Sequence, residues 1–348
     1  MTEIEIEEFD ENCVEGVQGK AQKAIQARLR GDLLRYCERM LGRDINDNDC
    51  AILQELVFGD PDSVDEVRNT PGILSALKDL AKNGSDAACE TLISFEKYPL
   101  LVGKRGMIDE KSRVRPYFVH FRSMNISLLL HPLAPSYEVG EKPNFEVGFR
   151  LWGASLVLVK QLLEGCWDLT RKSVLEVGCG MGLCGLLAAR LYRCSEVVLS
   201  DFHGGVVQNA QLNVDINDLR GSVATCVFDW EEDAFEDDEI MFPNKKYDCI
   251  LGSDVVCQPQ DCKSLAKVLG ERLKSNGFAI ICLGSATSRF GVEMFPQEIT
   301  SCGLNVELLR TDAGNLEDSV KALGSVKLDH VIGRASGYNT YRVTNSST

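Results

Sequence analysis

A buried strand followed at once by a glycine turn and an apolar helix most constrains how this chain can fold. Ser173–Val177 reads as the strand, the turn from Gly178 to Gly182 carries a glycine at every second position, and Leu183–Tyr192 reads as the helix. Such a tight reversal needs positive φ angles that glycine adopts at the least steric cost. The free N–H groups of the helix N-terminus then face any ligand that lies on the bare backbone. The sequence therefore predicts a ligand site where this strand ends.

The acidic residue at the end of the strand decides which ligand is favoured. Glu176 makes the pattern E-x-G-x-G-x-G, which differs from the G-x-G-x-x-G spacing of dinucleotide sites. A carboxylate here repels a pyrophosphate, but it attracts a sulfonium or accepts hydrogen bonds from a ribose. We interpret the turn as a site for S-adenosylmethionine (SAM). A dinucleotide site and a purely structural turn are the alternatives.

Composition indicates a soluble protein that does not bind nucleic acid. The 348 residues suffice for about two domains, no apolar run approaches the ~20 residues of a membrane span, and the net charge is −15. Nucleic-acid binders normally carry a basic surface, so we expect no nucleic-acid or membrane partner. The acidic charge suits a basic partner, or it only maintains solubility. The acidic residues at the start of the sequence are unlike those of a signal peptide. We therefore expect the protein in the cytoplasm, or in both the cytoplasm and the nucleus.

The fourteen cysteines predict neither a disulfide scaffold nor a metal site. Most lie in apolar runs, where a thiol packs as a small hydrophobic group, no C-x-x-C pair occurs, and only four histidines are present. We expect reduced, structural thiols and no bound metal.

Three segments follow one another along the chain. Residues 1–19 are predicted to be a disordered acidic tail, residues 20–110 a helical domain, and residues 111–348 a domain in which strands alternate with helices. That alternation predicts an α/β fold with a parallel sheet covered on both faces, ending in an antiparallel strand over 337–343. Residues 311–336 read as an insertion without defined elements.

Polar residues follow successive strands of the predicted sheet, where ligands of parallel sheets bind. Asp201, beside Phe202, can accept both ribose hydroxyls or cap the next helix. Asp229 can receive an adenine amino group, and Trp230 can form an apolar wall or belong to the core. Asp254 follows the fourth strand directly, where the transferable methyl group is expected.

Together these residues resemble the seven-strand, SAM-dependent methyltransferases from about Arg113 to the C-terminus. The resemblance is narrower with methyltransferase family 16, the protein-lysine branch that modifies chaperones and elongation factors, including the elongation-factor-2 lysine methyltransferase. It includes the upstream segment Trp152-Gly153-Ala154-Ser155 and implies a Rossmann-like seven-stranded methyltransferase sheet with SAM as cofactor. The candidate SAM-binding residues, from the strand ends and the resemblance together, are Trp152, Glu176, Gly178, Cys179, Gly180, Gly182, Asp201, Phe202, Asp229, Trp230 and Ser253.

The resemblance also implies that Asp254 faces the substrate, a protein with an accessible lysine. We expect the protein to be a monomer. Cys257 stands where the family motif Asp-x-x-Tyr has its tyrosine, and we take Asp254 and Cys257 as the catalytic candidates. A methyltransferase for a small molecule or for another protein group, such as histidine, is one alternative. A SAM-binding module that has lost catalysis through the cysteine is another. The acidic run over 231–239 is either a solvated loop or a patch that attracts a basic substrate.

Overall fold

A computed structural model describes most of the chain. The described residues are 36–37, 40–41, 45–50, 52–53, 64–97, 117–121, 123–130, 146–230, 234–235, 245–312, 316–323 and 331–346. They fall into two compact units, Met1–Pro99 and Leu100–Thr348, whereas the sequence placed the boundary at 110. The acidic tail and most of the acidic run over 231–239 lie outside the described residues.

The described residues of the first unit between 64 and 97 form three helices joined by short turns. Its helices are α1 (Val64–Asn69), α2 (Ile73–Lys82) and α3 (Asp86–Lys97). Gly72 begins α2 with a φ of +91°, and Ile73 and Leu77 on α2 are fully buried. A four-residue spacing places both on one face of a helix, so α2 is amphipathic and packs through that face.

The second unit is built on one mixed sheet. Its strands are β4 (Ser173–Val177), β5 (Glu196–Asp201), β6 (Val223–Asp229), β7 (Ala234–Phe235), β8 (Tyr247–Ser253), β9 (Leu273–Gly284), β10 (Leu304–Asp312) and β12 (Tyr338–Asn345). The spatial order is β10-β12-β9-β8-β4-β5-β6-β7. The neighbours from β9 to β6 are parallel, and β12 runs antiparallel to both β9 and β10. Seven long strands, with the two-residue β7 at one edge, therefore give the Rossmann-like sheet that the sequence predicted.

Helices cover both faces of this sheet. They are α4 (Gly153–Leu163), α5 (Leu183–Tyr192), α6 (Gly204–Ile216), α7 (Pro259–Arg272), α8 (Phe295–Ser301) and α9 (Leu316–Leu323). Alternate residues of one strand join different cores: Val174 packs with α4 and α5, whereas Leu175 packs with α7 and α8. This two-residue period is what a strand buried on both faces requires.

Two small strand pairs complete the unit. The hairpin of β1 (Tyr117–Phe121) and β2 (Ile126–Leu130) is antiparallel. The pair of β3 (Leu151–Trp152) and β11 (Val331–Ile332) is parallel and joins segments 180 residues apart in sequence. The prediction that residues 311–336 form an insertion without defined elements was wrong. This segment contains the end of β10, the whole of α9 and the whole of β11. A 3-10 turn over Val292–Met294 precedes α8, and Pro296 lies in the first turn of that helix.

Candidate functional site

A cavity of about 640 Å³ opens at the carboxyl ends of the parallel strands. The chain runs from β4 outward through β5 and β6, then crosses back to β8 on the other side of β4. The ends of β4 and β8 therefore flank the topological switch point, which is where open α/β sheets bind their ligands. Residues that follow β4, β5, β6 and β8 all line this one cavity.

The glycine turn forms the floor of the cavity in a left-handed conformation. Gly178 has a φ of +56° and Gly180 a φ of +51°. A Cβ on Gly178 would lie 2.8 Å from Cγ1 of Val255, and one on Gly180 would lie 3.2 Å from the carbonyl oxygen of Gly148. Side chains are excluded both by the backbone angle and by these neighbours, so the floor is bare backbone.

Gly182 has a different role from the one predicted. It precedes α5 with a φ of +79°, and a Cβ on it would meet Cδ1 of Leu199 at 2.7 Å. It is not among the residues that line the cavity, unlike Gly178 and Gly180. The alternating spacing predicted a glycine facing the ligand, but this one accommodates the packing of α5 against β5.

Asp201 holds a carboxylate at the end of β5 against the turn. Its Oδ2 accepts a hydrogen bond from the backbone N–H of Gly180 at 3.1 Å, and its Oδ1 accepts one from that of His203 at 3.3 Å. The residue is buried, and burial raises the pKa of its carboxyl group, while the two backbone N–H donors lower it. The bond to Gly180 ties the carboxylate to the cavity floor, and both oxygens retain acceptor capacity.

Glu176 is directed into the domain. Its Oε2 accepts a hydrogen bond from the N–H of Gly185 in α5 at 2.7 Å, and the residue is only 2% exposed. Burial raises its pKa to about 7, and the bond from Gly185 opposes this. The carboxylate therefore satisfies one of the free donors at the N-terminus of α5 while it also borders the cavity.

The walls come from the ends of β5, β6 and β8. Trp230 packs against the core on one side, and its Cζ2 lies 3.8 Å from the Cβ position of Gly178. Phe202 is 56% exposed, an unusual state for a phenylalanine, and it borders the cavity. The other predicted residues on the walls are Cys179, Asp229 and Ser253.

Asp254 forms a buried ion pair that the sequence did not predict. Its Oδ1 accepts from the N–H of Gly284 at 3.2 Å and from Nε of Arg289 at 3.1 Å. Its Oδ2 accepts from Nη2 of Arg289 at 2.5 Å. The Asp254 side chain is 1% exposed, and its backbone has a φ of +55°, a conformation that strains a residue with a side chain. Strained backbone and buried ion pairs in cavity walls are enriched at functional sites, which supports Asp254 as a candidate.

Arg289 connects this carboxylate to the opposite wall. Its guanidinium carbon lies 5.2 Å from the centre of the Trp152 ring, within cation–π range. Its Nη2 also donates to the carbonyl oxygen of Gly333, and a Cβ on Gly333 would overlap the Trp152 ring. The β3–β11 pair brings Gly333 to this point, so three segments distant in sequence meet on Arg289.

Cys257 lies at the mouth of the cavity and is exposed. Its backbone N–H donates to Oδ2 of Asp261 at 2.7 Å, and Gln258 forms a capping box with Asp261 at the start of α7. Although the residue is exposed, partial desolvation of its thiol at the cavity, helped by the charges of Asp261 and Asp254, raises the pKa of Cys257. The thiol is therefore protonated at neutral pH and serves as a small, weakly polar side chain.

The structure brings twelve of the thirteen predicted site residues to this cavity, and Gly182 is the exception. Sequence reasoning missed Arg289, which follows Asp254 by 35 residues and has no motif around it. It also missed Gln258 and Asp261, although the Gln-Pro-x-Asp order is a recognisable start of a helix. Within the described ranges, no cluster of His, Cys, Asp and Glu could hold a metal, and no helix is long and apolar enough to cross a membrane.

The residues present fit SAM. A floor without side chains admits close approach of a ligand, a buried carboxylate with spare acceptor positions suits a diol, and an indole offers a flat apolar face. The carboxylates around the cavity suit a cationic ligand better than a pyrophosphate. The strand order and the switch-point cavity define a Rossmann-like domain, and the donor set of the cavity fits SAM.

A family model described as "Lysine methyltransferase" matches residues 136–297, slightly less than half of the chain, so this region is similar to that family. The matched region contains the glycine turn, all the predicted site residues and Arg289. The family and the site together imply SAM as the cofactor.

Curated relatives carry related names. A "Histidine protein methyltransferase 1 homolog" of Dictyostelium discoideum is 36% identical over 42% of this chain and 46% of its own length. The "Protein-lysine N-methyltransferase rrg1" of Schizosaccharomyces pombe is 29% identical over 38% of this chain and 45% of its own. The human "Protein-lysine N-methyltransferase EEF2KMT" is 28% identical over 35% of this chain and 39% of its own. The chain thus spans less than half the length of these relatives.

Proposed function

We propose that this protein is a SAM-dependent methyltransferase that transfers a methyl group to a lysine side chain of another protein. The observation that carries the proposal is the convergence of the glycine turn, Asp201, Trp230 and Asp254 on one cavity at the switch point. The match to the lysine methyltransferase family over 136–297 supports the same activity.

The cofactor is held by the floor and the β5 and β6 ends. The bare backbone at Gly178 and Gly180 admits the ligand, Asp201 accepts from its ribose hydroxyls, and Asp229 and Trp230 receive its adenine. Asp201 suits this task because its bond from Gly180 fixes the carboxylate before a ligand arrives. A group fixed in advance loses little entropy on binding, which favours affinity.

The acceptor amine is oriented by Asp254. A carboxylate has about four lone-pair positions, and contacts among the described residues occupy two on Oδ1 and one on Oδ2. The position left on Oδ2 can accept an N–H from the substrate amine. Cys257, at the mouth, leaves space that the family tyrosine would fill.

Bound SAM supplies a methyl group on a positively charged sulfur, which needs no further activation. The amine nitrogen forms the new bond to the methyl carbon with its lone pair, the C–S bond electrons remain on sulfur, and the proton on nitrogen leaves to solvent. Holding nitrogen and carbon ~3–3.5 Å apart in line can contribute ~7–11 kcal/mol to the lowering of the barrier. The protein acts by binding, orienting and excluding water, and no strong base is required of it.

A protein histidine is the second candidate acceptor. It is favoured by the 36% identity to a relative named as a histidine protein methyltransferase. A neutral imidazole is available near pH 7, and Cys257 offers no aromatic face to a lysine. A partner with a basic surface fits the net charge of −15 in either case. We further infer that the protein is a monomer, and that it works in the cytoplasm or nucleus, as its acidic first residues predicted.

Methyl-labelled SAM, incubated with the purified chain and a cell lysate, tests the proposal. A labelled protein band that needs Asp254 and is absent with Gly180→Arg supports a protein methyltransferase. Mass spectrometry then assigns the methyl group to lysine or to histidine. Label confined to small molecules, or SAM binding without any transfer, would contradict the proposal.

A further inference from the structure

The net charge beside the acceptor depends on Arg289, a residue that lies outside every sequence motif. Asp254 is buried, and a lone carboxylate beside the acceptor would favour a protonated amine, which cannot attack a methyl group. Arg289 places its positive charge on the same carboxylate through two hydrogen bonds. An incoming amine therefore meets an ion pair with no net charge, instead of a lone negative charge.

We propose that Arg289 is a positioning residue for the methyl transfer: it offsets the charge of Asp254 and fixes the direction of its carboxylate, so that the acceptor nitrogen binds uncharged. This rests on the proposed transfer to nitrogen and assigns a role to a residue that does not itself touch the acceptor.

The geometry supports a fixed orientation. Besides the two bonds to Asp254, Arg289 donates from Nη1 to the carbonyl oxygen of Ser288 at 3.0 Å and from Nη2 to that of Gly333. Its guanidinium also stacks on Trp152, and its side chain is 15% exposed. A planar guanidinium held on three sides points its N–H donors in one fixed direction. A flexible lysine has no such fixed direction.

Among the described residues, the titratable groups whose pKa values this pair influences are neutral near pH 7. The neighbouring titratable groups are Cys257, Cys282 and Tyr338, and burial raises the pKa of each, so all three are neutral near pH 7. Asp261 lies further out, at the mouth beside Cys257. The charge that an occupant meets at this wall is therefore set mainly by Asp254 and Arg289.

A pair of SAM analogues measures that charge without any turnover. Sinefungin carries a primary amine near the position of the methylsulfonium, whereas S-adenosylhomocysteine carries no charge there. The ratio of their dissociation constants, measured by calorimetry at about pH 7.5, reports the electrostatic field at this position. Looser packing alone weakens both ligands alike and leaves the ratio unchanged.

The two halves of the pair should shift this ratio in opposite directions. Arg289→Gln leaves the carboxylate unopposed and should favour sinefungin by about tenfold relative to the unaltered protein. Asp254→Asn leaves the guanidinium unopposed and should disfavour sinefungin by about the same factor. Arg289→Lys keeps the charge and should leave the ratio near its original value, although both affinities fall as the fork is lost.

Arg310→Gln is the matched control, because Arg310 pairs with Glu164 and Asp312 far from the cavity. If Arg289→Gln does not fold, Asp254→Asn and Arg289→Lys still give the two contrasting ratios. A ratio unchanged in Asp254→Asn, with both ligands still bound, would overturn the role of Arg289. Failure of the unaltered protein to bind either analogue would instead refute the proposed function.

Discussion

Replacing Glu176 with glutamine should change how the stability of the second unit depends on pH. In the folded protein, burial raises the pKa of this carboxyl group from 4.5 to about 7. The folded state therefore binds more protons than the unfolded state in this interval, so Glu176 makes the protein less stable as pH rises. A difference of about 2.5 pKa units corresponds to about 3 kcal/mol of unfolding free energy. Above about pH 7, both states are ionised and the dependence ends.

Glutamine retains the contact but does not ionise. Its amide oxygen can accept the N–H of Gly185 that Oε2 accepts in the native protein, at 2.7 Å. The unfolding free energy of Glu176→Gln minus that of the native protein should therefore increase by about 3 kcal/mol from about pH 4.5 to 7. Other ionisable groups contribute to both proteins and largely cancel in the difference.

Urea unfolding followed by tryptophan fluorescence at several pH values measures this difference. All three tryptophans lie beyond residue 150, so the signal reports on the second unit. Glu307→Gln, on the exposed surface of β10, is the control and should give no such trend. A difference for Glu176→Gln that stays flat across the interval would show that the buried carboxylate is not protonated, and the reasoning would be wrong.

Three further substitutions test the cavity. Asp201→Asn should weaken SAM binding in calorimetry by about tenfold to a hundredfold, because charge-assisted bonds are lost. Asp215→Asn, at a buried carboxylate paired with Arg220, should leave binding unchanged, and equal losses in both would contradict a ribose role. Gly180→Arg should abolish the thermal stabilisation by SAM, and retained stabilisation would refute the assigned floor. Cys257→Tyr should preserve or raise transfer to lysine in the labelling assay, and its complete loss would show that the mouth is built for a small residue.

The sequence predicted the second unit well where the pattern was local. The apolar strand, the glycine turn and the helix after it are fixed by residues close together, so β4 and α5 have the predicted bounds. Asp201 and Trp230 could be placed at the cavity because the carboxyl ends of parallel strands meet at one edge of a sheet.

Contacts between distant segments could not be predicted in this way. Arg289 contacts both Trp152 and Gly333 because β11 pairs with β3, and no local pattern encodes that pairing. Gly182 shows the converse, since its spacing matches the ligand-facing glycines, whereas its position is set by the close packing of Leu199. The orientation of Glu176 toward Gly185 likewise depends on how α5 sits on the sheet.

Tandem mass spectrometry of the protein labelled in a lysate tests the central claim most directly, because it identifies the atom that receives the methyl group. The account predicts a methyl group on the side-chain nitrogen of a lysine, formed with the native chain and absent with Gly180→Arg. SAM that binds this cavity without any methylated protein nitrogen, or a methyl group found only on oxygen or sulfur, would contradict it.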